Sequence, residues 1–251
     1  MKPKISIITV AYNAEAFLED TIKSIISQTY QNIEYIIIDG QSSDRTLEIC
    51  KKYKNNIDIL VSEPDKGLYD AMNKGVKKAT GDVIGILNAD DFYNSENVLE
   101  DVSELFTDSK VDCSYGDLVY VNPDNTNKIV RTWISGNYKN NAFLKGWMPP
   151  HPTFFIRKKH YETFGAYSLK LKSAADYELM LRMLHKEKLT AVYLDKVLVR
   201  MRTGGVSNAS FINRFKANKE DKLAWEMNGL KPAPFTLIRK PLSKLKQFIK
   251  K

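Results

Sequence analysis

The sequence predicts an α/β protein with a mostly parallel, doubly wound sheet and an irregular second half. Three observations carry this. Between Lys4 and Leu87, β-branched runs of strand length alternate three times with segments of helical period, the pattern of parallel strands joined by crossover helices. Each run is followed by a short polar cluster: Tyr12-Asn13, Asp39-Gly40, Asp65-Lys66-Gly67 and Asn88-Ala89-Asp90-Asp91. Beyond Asp91 the alternation loosens, and turns and loops break up the remaining elements.

Lys4 to Ala11 is a strand, broken by Tyr12-Asn13. Ala14 to Gln28 carries Phe17, Leu18, Ile22, Ile25 and Ile26 at helical spacing. Glu34 to Ile38 is the second strand, closed by Asp39-Gly40-Gln41-Ser42-Ser43-Asp44, with Asp44 as N-cap of a helix through Tyr53. Ile57 to Ser62 is the third strand. The turn Glu63-Pro64-Asp65-Lys66-Gly67 leads into a helix from Leu68 to Lys78. Val83 to Leu87 is a buried strand that ends in Asp90-Asp91, with a loop expected after it. In the second half, Val98 to Phe106 reads as helix, and Cys113 to Val121 and Ile129 to Trp133 as strands about a polar turn. A loop from Gly146 to Pro152 precedes a strand, Thr153 to Ile156. A further loop opens into a helix, Asp176 to Lys186, with Leu179, Met180, Met183 and Leu184 on one face. Strands Ala191 to Leu194 and Val197 to Met201, a Gly204-Gly205 loop and a helix from Ser210 to Met227 follow. No linker divides the chain, so residues 1–227 form one domain, with 228–251 as a separate tail.

A chain of 251 residues can bury a large core. It contains no run of 18 or more apolar residues, and it enters a strand at once without a signal peptide. Cys50 and Cys113 lie in apolar segments without metal-ligand spacing and read as reduced core residues. Together these give the expectation of a cytoplasmic protein. The net charge of +8 is unevenly placed: seven basic residues and no acidic one follow Glu226, leaving +1 for residues 1–226. A nearly neutral body argues against a nucleic-acid-binding face. In the tail, Ile238, Leu242, Leu245 and Ile249 fall on one helical stripe flanked by lysines. Such a segment suits an anionic membrane surface, at about 1 kcal/mol per basic residue, and would hold the protein peripherally at the inner face of the cell membrane.

In a parallel sheet the C-terminal strand ends lie along one edge, where open α/β sheets place ligands. An Asp directly after a buried strand accepts hydrogen bonds from ribose hydroxyls or a base N–H. A pair of carboxylates there suits a divalent cation, which in turn suits phosphate oxygens. There is no Gly-x-Gly-x-x-Gly after the first strand and no phosphate-binding Gly-x-x-x-x-Gly-Lys-Ser/Thr loop. Phosphates are therefore not expected on a glycine loop, and a metal on Asp90 and Asp91 takes their place.

Ile5 to Asn13, Gln28-Thr29-Tyr30, Asp39 to Thr46 and Leu87-Asn88-Ala89-Asp90-Asp91, in this order and spacing, resemble the family 2 glycosyltransferases. Ser62-Glu63-Pro64-Asp65-Lys66-Gly67-Leu68-Tyr69-Asp70-Ala71-Met72-Asn73-Lys74-Gly75 is similar to a branch that builds bacterial surface polysaccharides, the colanic-acid type among them. The resemblance runs from about Lys4 to Ser207 and implies the GT-A nucleotide-sugar fold. It implies that Asp39 contacts the nucleoside and Tyr12 lines the base pocket, with Asn13 and Lys66 among the donor contacts. Asp90 and Asp91 stand as the metal motif. Its first position is Asn88, a weaker ligand than a carboxylate, so the metal is expected on Asp91, with Asp90 supporting it or the ribose. The acceptor base is expected at Asp176, where the usual Glu-Asp pair reads Ala175-Asp176. His151 is expected near donor or acceptor. Arg202, in the loop Arg200 to Ser207, is expected to close over the diphosphate.

The chemistry is consistent with this. Moving a sugar from a nucleoside diphosphate requires a stabilised leaving group, which Mn or Mg supplies. It also requires a base for the acceptor hydroxyl. A single displacement inverts the anomeric centre. Glu178 is the alternative base, but two residues along a helix it points away from Asp176. His160 and His185 are expected as surface or packing residues, and Trp133, Trp147 and Trp225 as packing. The reading is an inverting, metal-dependent transferase acting on a glycan or lipid-linked glycan in surface polysaccharide biosynthesis. Two alternatives are a sugar nucleotidyltransferase, against which the loop Ala11-Tyr12-Asn13 speaks, and a non-catalytic nucleotide-sugar or glycan-binding partner, left open by Asn88 and Ala175.

Overall fold

The computed structural model describes residues 2–204, 211–237 and 239–240. A single mixed sheet runs through it. The first strands, β1 (Ile5–Ala11), β2 (Ile33–Asp39), β3 (Ile59–Ser62) and β4 (Val83–Ile86), are mutually parallel in the order β3-β2-β1-β4. Crossover helices α1 (Leu18–Ile26), α2 (Thr46–Lys52) and α3 (Leu68–Lys78) connect them. β1 is buried throughout, as a strand covered on both faces must be. Ile5 and Ile7 pack with Leu18, Ile22 and Ile25 of α1, while Ile8 faces the other way, onto Met72 and Val76 of α3. Gly75 lets α3 lie directly on the sheet: a Cβ there would collide with the Ile8 side chain.

The second half extends the sheet with strands of both directions. β8 (Phe155–Arg157) inserts antiparallel between β4 and β6 (Cys113–Val121), and β9 (Ala191–Arg202) runs parallel to β6. β5 (Asp91–Tyr93) closes the sheet antiparallel to β9, and β7 (Ile129–Trp133) pairs with β6. Helices α4 (Val98–Leu105), α5 (Lys158–Phe164), α6 (Ala175–Met180) and α7 (Phe211–Met227) complete the fold, α6 passing into a wider-wound π-helical stretch, Leu181–Lys186.

The expected α/β sheet is present, and several local expectations are corrected. No loop follows Asp91 directly: that residue opens β5, which exists because β9 supplies its hydrogen-bonding partner. The two strands expected over residues 191–201 are one, carried through two register shifts against β6. The strand expected from Thr153 begins at Phe155, after a 3-10 turn, His151–Thr153. Asp44 lies ahead of α2 and accepts the Thr46 and Glu15 amides, so it ties two loops rather than capping the helix alone. Cys50 and Cys113 are free and buried, and burial pushes the Cys50 thiol up to about 12.

Residues after α7 pack onto the body. Asn228 donates to Glu178 at 2.9 Å, Thr236 donates to the Leu144 carbonyl at 2.6 Å, and Lys240 pairs with buried Asp221 at 2.6 Å while lying 3.6 Å over the Tyr177 ring. The charge of Lys240 is thus engaged within the fold. Ile238, Leu242, Leu245 and Ile249, the apolar stripe of the expected membrane-binding tail, lie outside the described residues.

Candidate active site

The register aligns Ala11 with Asp39 and Asp39 with Ser62, so three strand ends form one edge. On that edge most polar side chains are engaged by their own or neighbouring strand-end loops. Asp39 is fully buried and accepts hydrogen bonds from the Ser42 amide and hydroxyl and, at 2.6 Å, from the Ser62 hydroxyl. Asn13, at φ 48°, accepts the Ser43 amide at 2.9 Å, and its own amide donates to Ser42. Asp65 accepts the Gly67 amide at 2.7 Å. What remains open is Tyr12, 68% exposed, and the exposed Lys66. Gly40 brings this backbone close to its neighbours: a Cβ would meet the free end of the Asp65 carboxylate and come within 3.3 Å of the Tyr12 ring. The edge is therefore a flat shelf of backbone beside one exposed aromatic ring, suited to stacking a base.

Asn88, Asp90 and Asp91 lie at the end of β4. Asp91 is completely buried, and among the described residues its two carboxylate oxygens have no hydrogen-bond partner; the Asn88 side-chain oxygen is likewise buried and unpartnered there. Burial, and then the charge of Asp90, push the Asp91 carboxyl well above the usual carboxylate range. Burial also raises Asp90, which is half-buried, against the opposing pull of Arg202 and His151. Arg202 is not an open lid residue. It is 4% exposed, sandwiched between the Phe17 and Phe92 rings at 4.6 and 4.8 Å, paired with Asp20, and it donates to the Asp90 carbonyl at 2.8 Å. Its place is in the wall that holds the Asp90 backbone, which corrects the expectation that it closes over a diphosphate.

Asp176 stands in the first turn of α6, and two residues distant in sequence converge on it. His151 Nδ1 lies 3.2 Å from Oδ2, and the Tyr69 hydroxyl donates to Oδ1 at 3.1 Å. The His151 turn is held by Thr153, whose hydroxyl donates to the Gly116 and Pro150 carbonyls. Glu178 is removed from consideration as a base. It is buried in a two-point ion pair with Arg182 at 2.9 and 3.0 Å and accepts a third bond from Asn228. Tyr120 on β6 is close enough to both Asp91 and Asp176 for their charges to add to the upward push that burial gives its phenol. The Arg131 guanidinium from β7 lies 3.7 Å over the Tyr120 ring. Tyr69, Tyr120 and Arg131 were not legible as site residues, because each reads in sequence as an ordinary member of a helix or strand. His160 and His185 are buried packing residues, His160 bonded to Asp112 at 2.8 Å.

A protein-family model described as glycosyl transferase family 2 matches residues 6–165, more than half of the chain. The chain belongs to glycosyltransferase family 2. A Mycobacterium bovis protein named "PGL/p-HBAD biosynthesis glycosyltransferase" is 30% identical over 211 residues, covering 82% of this chain and 80% of its own. An uncharacterised glycosyltransferase of Haemophilus influenzae is 29% identical over 219 residues, covering 86% and 84%. Among solved structures, Staphylococcus aureus TarS in complex with UDP superposes with a TM-score of 0.69 at 19% identity, over 95% of this chain and 70% of its own. The mannosyltransferase PcManGT from Pyrobaculum calidifontis, solved with GDP-Man and Mn2+, gives 0.67 at 18% identity, over 98% and 70%. The shared fold is GT-A. This family 2 glycosyltransferase thus brings together Asp176 and His151, with Asp90 within reach of the His151 charge, while Asp39, Asn13 and Arg202 are spent on loops and walls. No helix among the described residues is long and apolar enough to cross a membrane.

Among the described residues no group of three or more His, Cys, Asp and Glu is arranged to hold a metal. The donor set nevertheless fits a hard cation. Three unpartnered oxygens, on Asn88 and Asp91, lie beside the Asp90 carboxylate, and burial disfavours the charge of both acids. Bare buried carboxylates of this kind are relieved by a divalent ion.

Proposed function

We propose that this chain is an inverting glycosyltransferase that moves a sugar from a nucleotide-sugar to a hydroxyl of a glycan or lipid-linked glycan in surface polysaccharide biosynthesis. The observation that carries this is the Asp176 carboxylate, held by His151 and Tyr69, with His151 near enough to Asp90 to influence its charge. In this reading Asp176 is the base for the acceptor and Asp90 the carboxylate on the donor side.

In this reading the donor base stacks on Tyr12 over the shelf at Gly40, and Lys66 reaches the donor from the start of α3. Asp91 and Asp90, with Asn88, would hold Mn or Mg, which when bound would supply positive charge for the diphosphate leaving group. Asp176 takes the proton from the acceptor hydroxyl as its oxygen bonds to the anomeric carbon. The bond from that carbon to the diphosphate oxygen breaks on the opposite face, and the nucleoside diphosphate leaves with its electron pair. The mycobacterial relative is named for a biosynthetic role, PGL/p-HBAD biosynthesis, and a biosynthetic role, here with a lipid-linked glycan as acceptor, is the one proposed for this chain. The lysines beyond Lys240 would hold the enzyme at an anionic membrane surface where such an acceptor resides.

Asp176→Asn tests the assignment. With UDP-GlcNAc and GDP-mannose among the donors and Mn present, release of nucleoside diphosphate is expected to fall by about 100-fold or more, with the melting temperature retained. Full activity in that variant removes Asp176 from the mechanism.

A further inference from the structure

The segment Ser62 to Gly75 is the sequence feature most particular to this chain, and most of it touches neither the strand-end shelf nor the carboxylates. Its helix, α3, instead spans the two halves of the molecule. At its N-terminal end Asp65 accepts the Gly67 amide beside Gly40 and Tyr12. One residue into the helix, Tyr69 reaches across 107 positions of sequence to the Asp176 carboxylate. One helical turn later Asn73 clamps the backbone of Tyr167, donating to its carbonyl at 2.8 Å and accepting its amide at 2.9 Å. Tyr167 in turn stacks on Tyr69, with ring centroids 5.8 Å apart and planes 16° from parallel. Arg182, from the π-helical stretch after α6, donates to the Phe164, Gly165 and Ala166 carbonyls just ahead of Tyr167. The circuit closes: α3 holds Tyr167, Tyr167 holds the Tyr69 ring, Tyr69 holds Asp176, and the helix of Asp176 anchors the segment that carries Tyr167.

We propose that Tyr69 is a positioning residue for the acceptor base, its hydroxyl fixing the Asp176 side chain so that Oδ2 faces His151 and the cleft. This deepens the reading of Asp176 as the base and rests on it. The geometry separates two functions of one ring. The face packs on Tyr167 and the core, which any aromatic residue can do. The hydroxyl sits on one carboxylate oxygen, which only tyrosine can do. A carboxylate held at one oxygen has one rotamer, and its other oxygen is presented in a fixed direction. A proton transfer that depends on approach within hydrogen-bond distance is sensitive to that direction.

Tyr69→Phe keeps the ring and removes the hydroxyl. With UDP-GlcNAc or GDP-mannose as donor, Mn present and water as acceptor, kcat for diphosphate release is expected to fall about 10- to 100-fold while the donor KM stays within about two-fold. Asn73→Ala, which loosens the clamp while leaving the hydroxyl, is expected to lower kcat by less. An unchanged kcat in Tyr69→Phe, or a rise in KM at constant kcat, overturns the proposal. A parallel urea-unfolding cycle reads the contact without any donor. Tyr69→Phe is expected to destabilise the native chain and to cost nothing further in an Asp176→Ala background, which has no side-chain oxygen to accept the hydroxyl. Additive effects overturn the proposal. Wild-type protein that releases diphosphate from neither donor counts against these donors in the proposed function, while the unfolding cycle still decides the contact.

Discussion

The two sides of the cleft are built on opposite principles. At the ends of β1, β2 and β3, polar side chains are tied to one another's loops or to their own: Asp39 to Ser42, Asn13 to Ser43 in the next loop, Asp65 to Gly67. What they offer a ligand is a rigid backbone surface. On the far side, Asp176, His151 and Tyr69 come from three elements and hold one another. What they offer is side-chain chemistry whose precision depends on packing far from the site. A nucleotide, the common part of every donor, can be recognised by an invariant shelf. In the proposed function the acceptor is the variable part, and it would meet the side assembled from separate elements, where substitutions can change geometry without unmaking the sheet.

Three perturbations break or sharpen this contrast. The largest effect is expected on the acceptor side. Glu178 and Arg182 form a buried ion pair, 4% and 11% exposed, and Arg182 organises the segment before Tyr167. Glu178→Ala leaves that guanidinium without its counter-charge and is expected to cost about 3 kcal/mol in urea unfolding. A cost below about 1 kcal/mol would mean that hydrogen bonds to carbonyls alone hold this frame.

On the donor side, Gly40→Ala places a methyl group against the free end of the Asp65 carboxylate, which can swing away. Stability is expected to change by less than about 1 kcal/mol. The stabilisation conferred by UDP or GDP in a thermal melt with Mn is expected to shrink, since the shelf and Tyr12 are displaced. A large loss of stability with nucleotide binding intact would reverse the contrast between the two sides.

The smallest effect concerns His185, buried against Trp225 with ring centroids 5.3 Å apart and Nδ1 unpartnered. Burial, reinforced by Lys188, lowers its pKa. The unfolded chain therefore takes up the proton first as pH falls below about 6.5. Stability is expected to decline from there with a slope of at most one proton, and to flatten once the folded imidazole titrates. His185→Phe should remove that component, and an unchanged pH slope in the variant would assign it to other groups.

Much of the fold was legible because it is locally encoded. Helix α3 occupies Leu68–Lys78 and β6 Cys113–Val121, both as the periodicity and β-branching predict. The missed or misjudged elements depend on distant partners. The three residues of β5 have no strand signature and become a strand only against β9. Arg202 lies on a strand leading into a glycine loop, which suggests a mobile cation, yet Asp20, 182 positions away, and two phenylalanine rings fix it in a wall. Asp176 could be named from the motif it completes, and His151 only suspected from its loop. Tyr69 could not be found at all, because on the buried face of a helix a tyrosine looks like core until the residue its hydroxyl reaches is known. The acidic pair at Asp90 and Asp91 was visible, but not the division between them, with Asp91 sealed inside and Asp90 facing outward.

The pairing of β5 with β9 also governs how the chain is made. Arg202, which covers Asp90 from β9, follows it by 112 residues. At about 5–20 residues per second, ribosomal synthesis leaves roughly 5–20 s during which the strand end bearing Asp90 and Asp91 has no cover. The β4 edge of the nascent parallel sheet, the kind of edge that recruits other strands, is open for a shorter time, until β8 pairs with it antiparallel. Asp90 and Asp91, just beyond the end of β4, put two acidic residues at that edge until β8 arrives. The same carboxylates whose charge burial disfavours in the finished enzyme are thus of the kind that discourages strand-to-strand association while an edge is open.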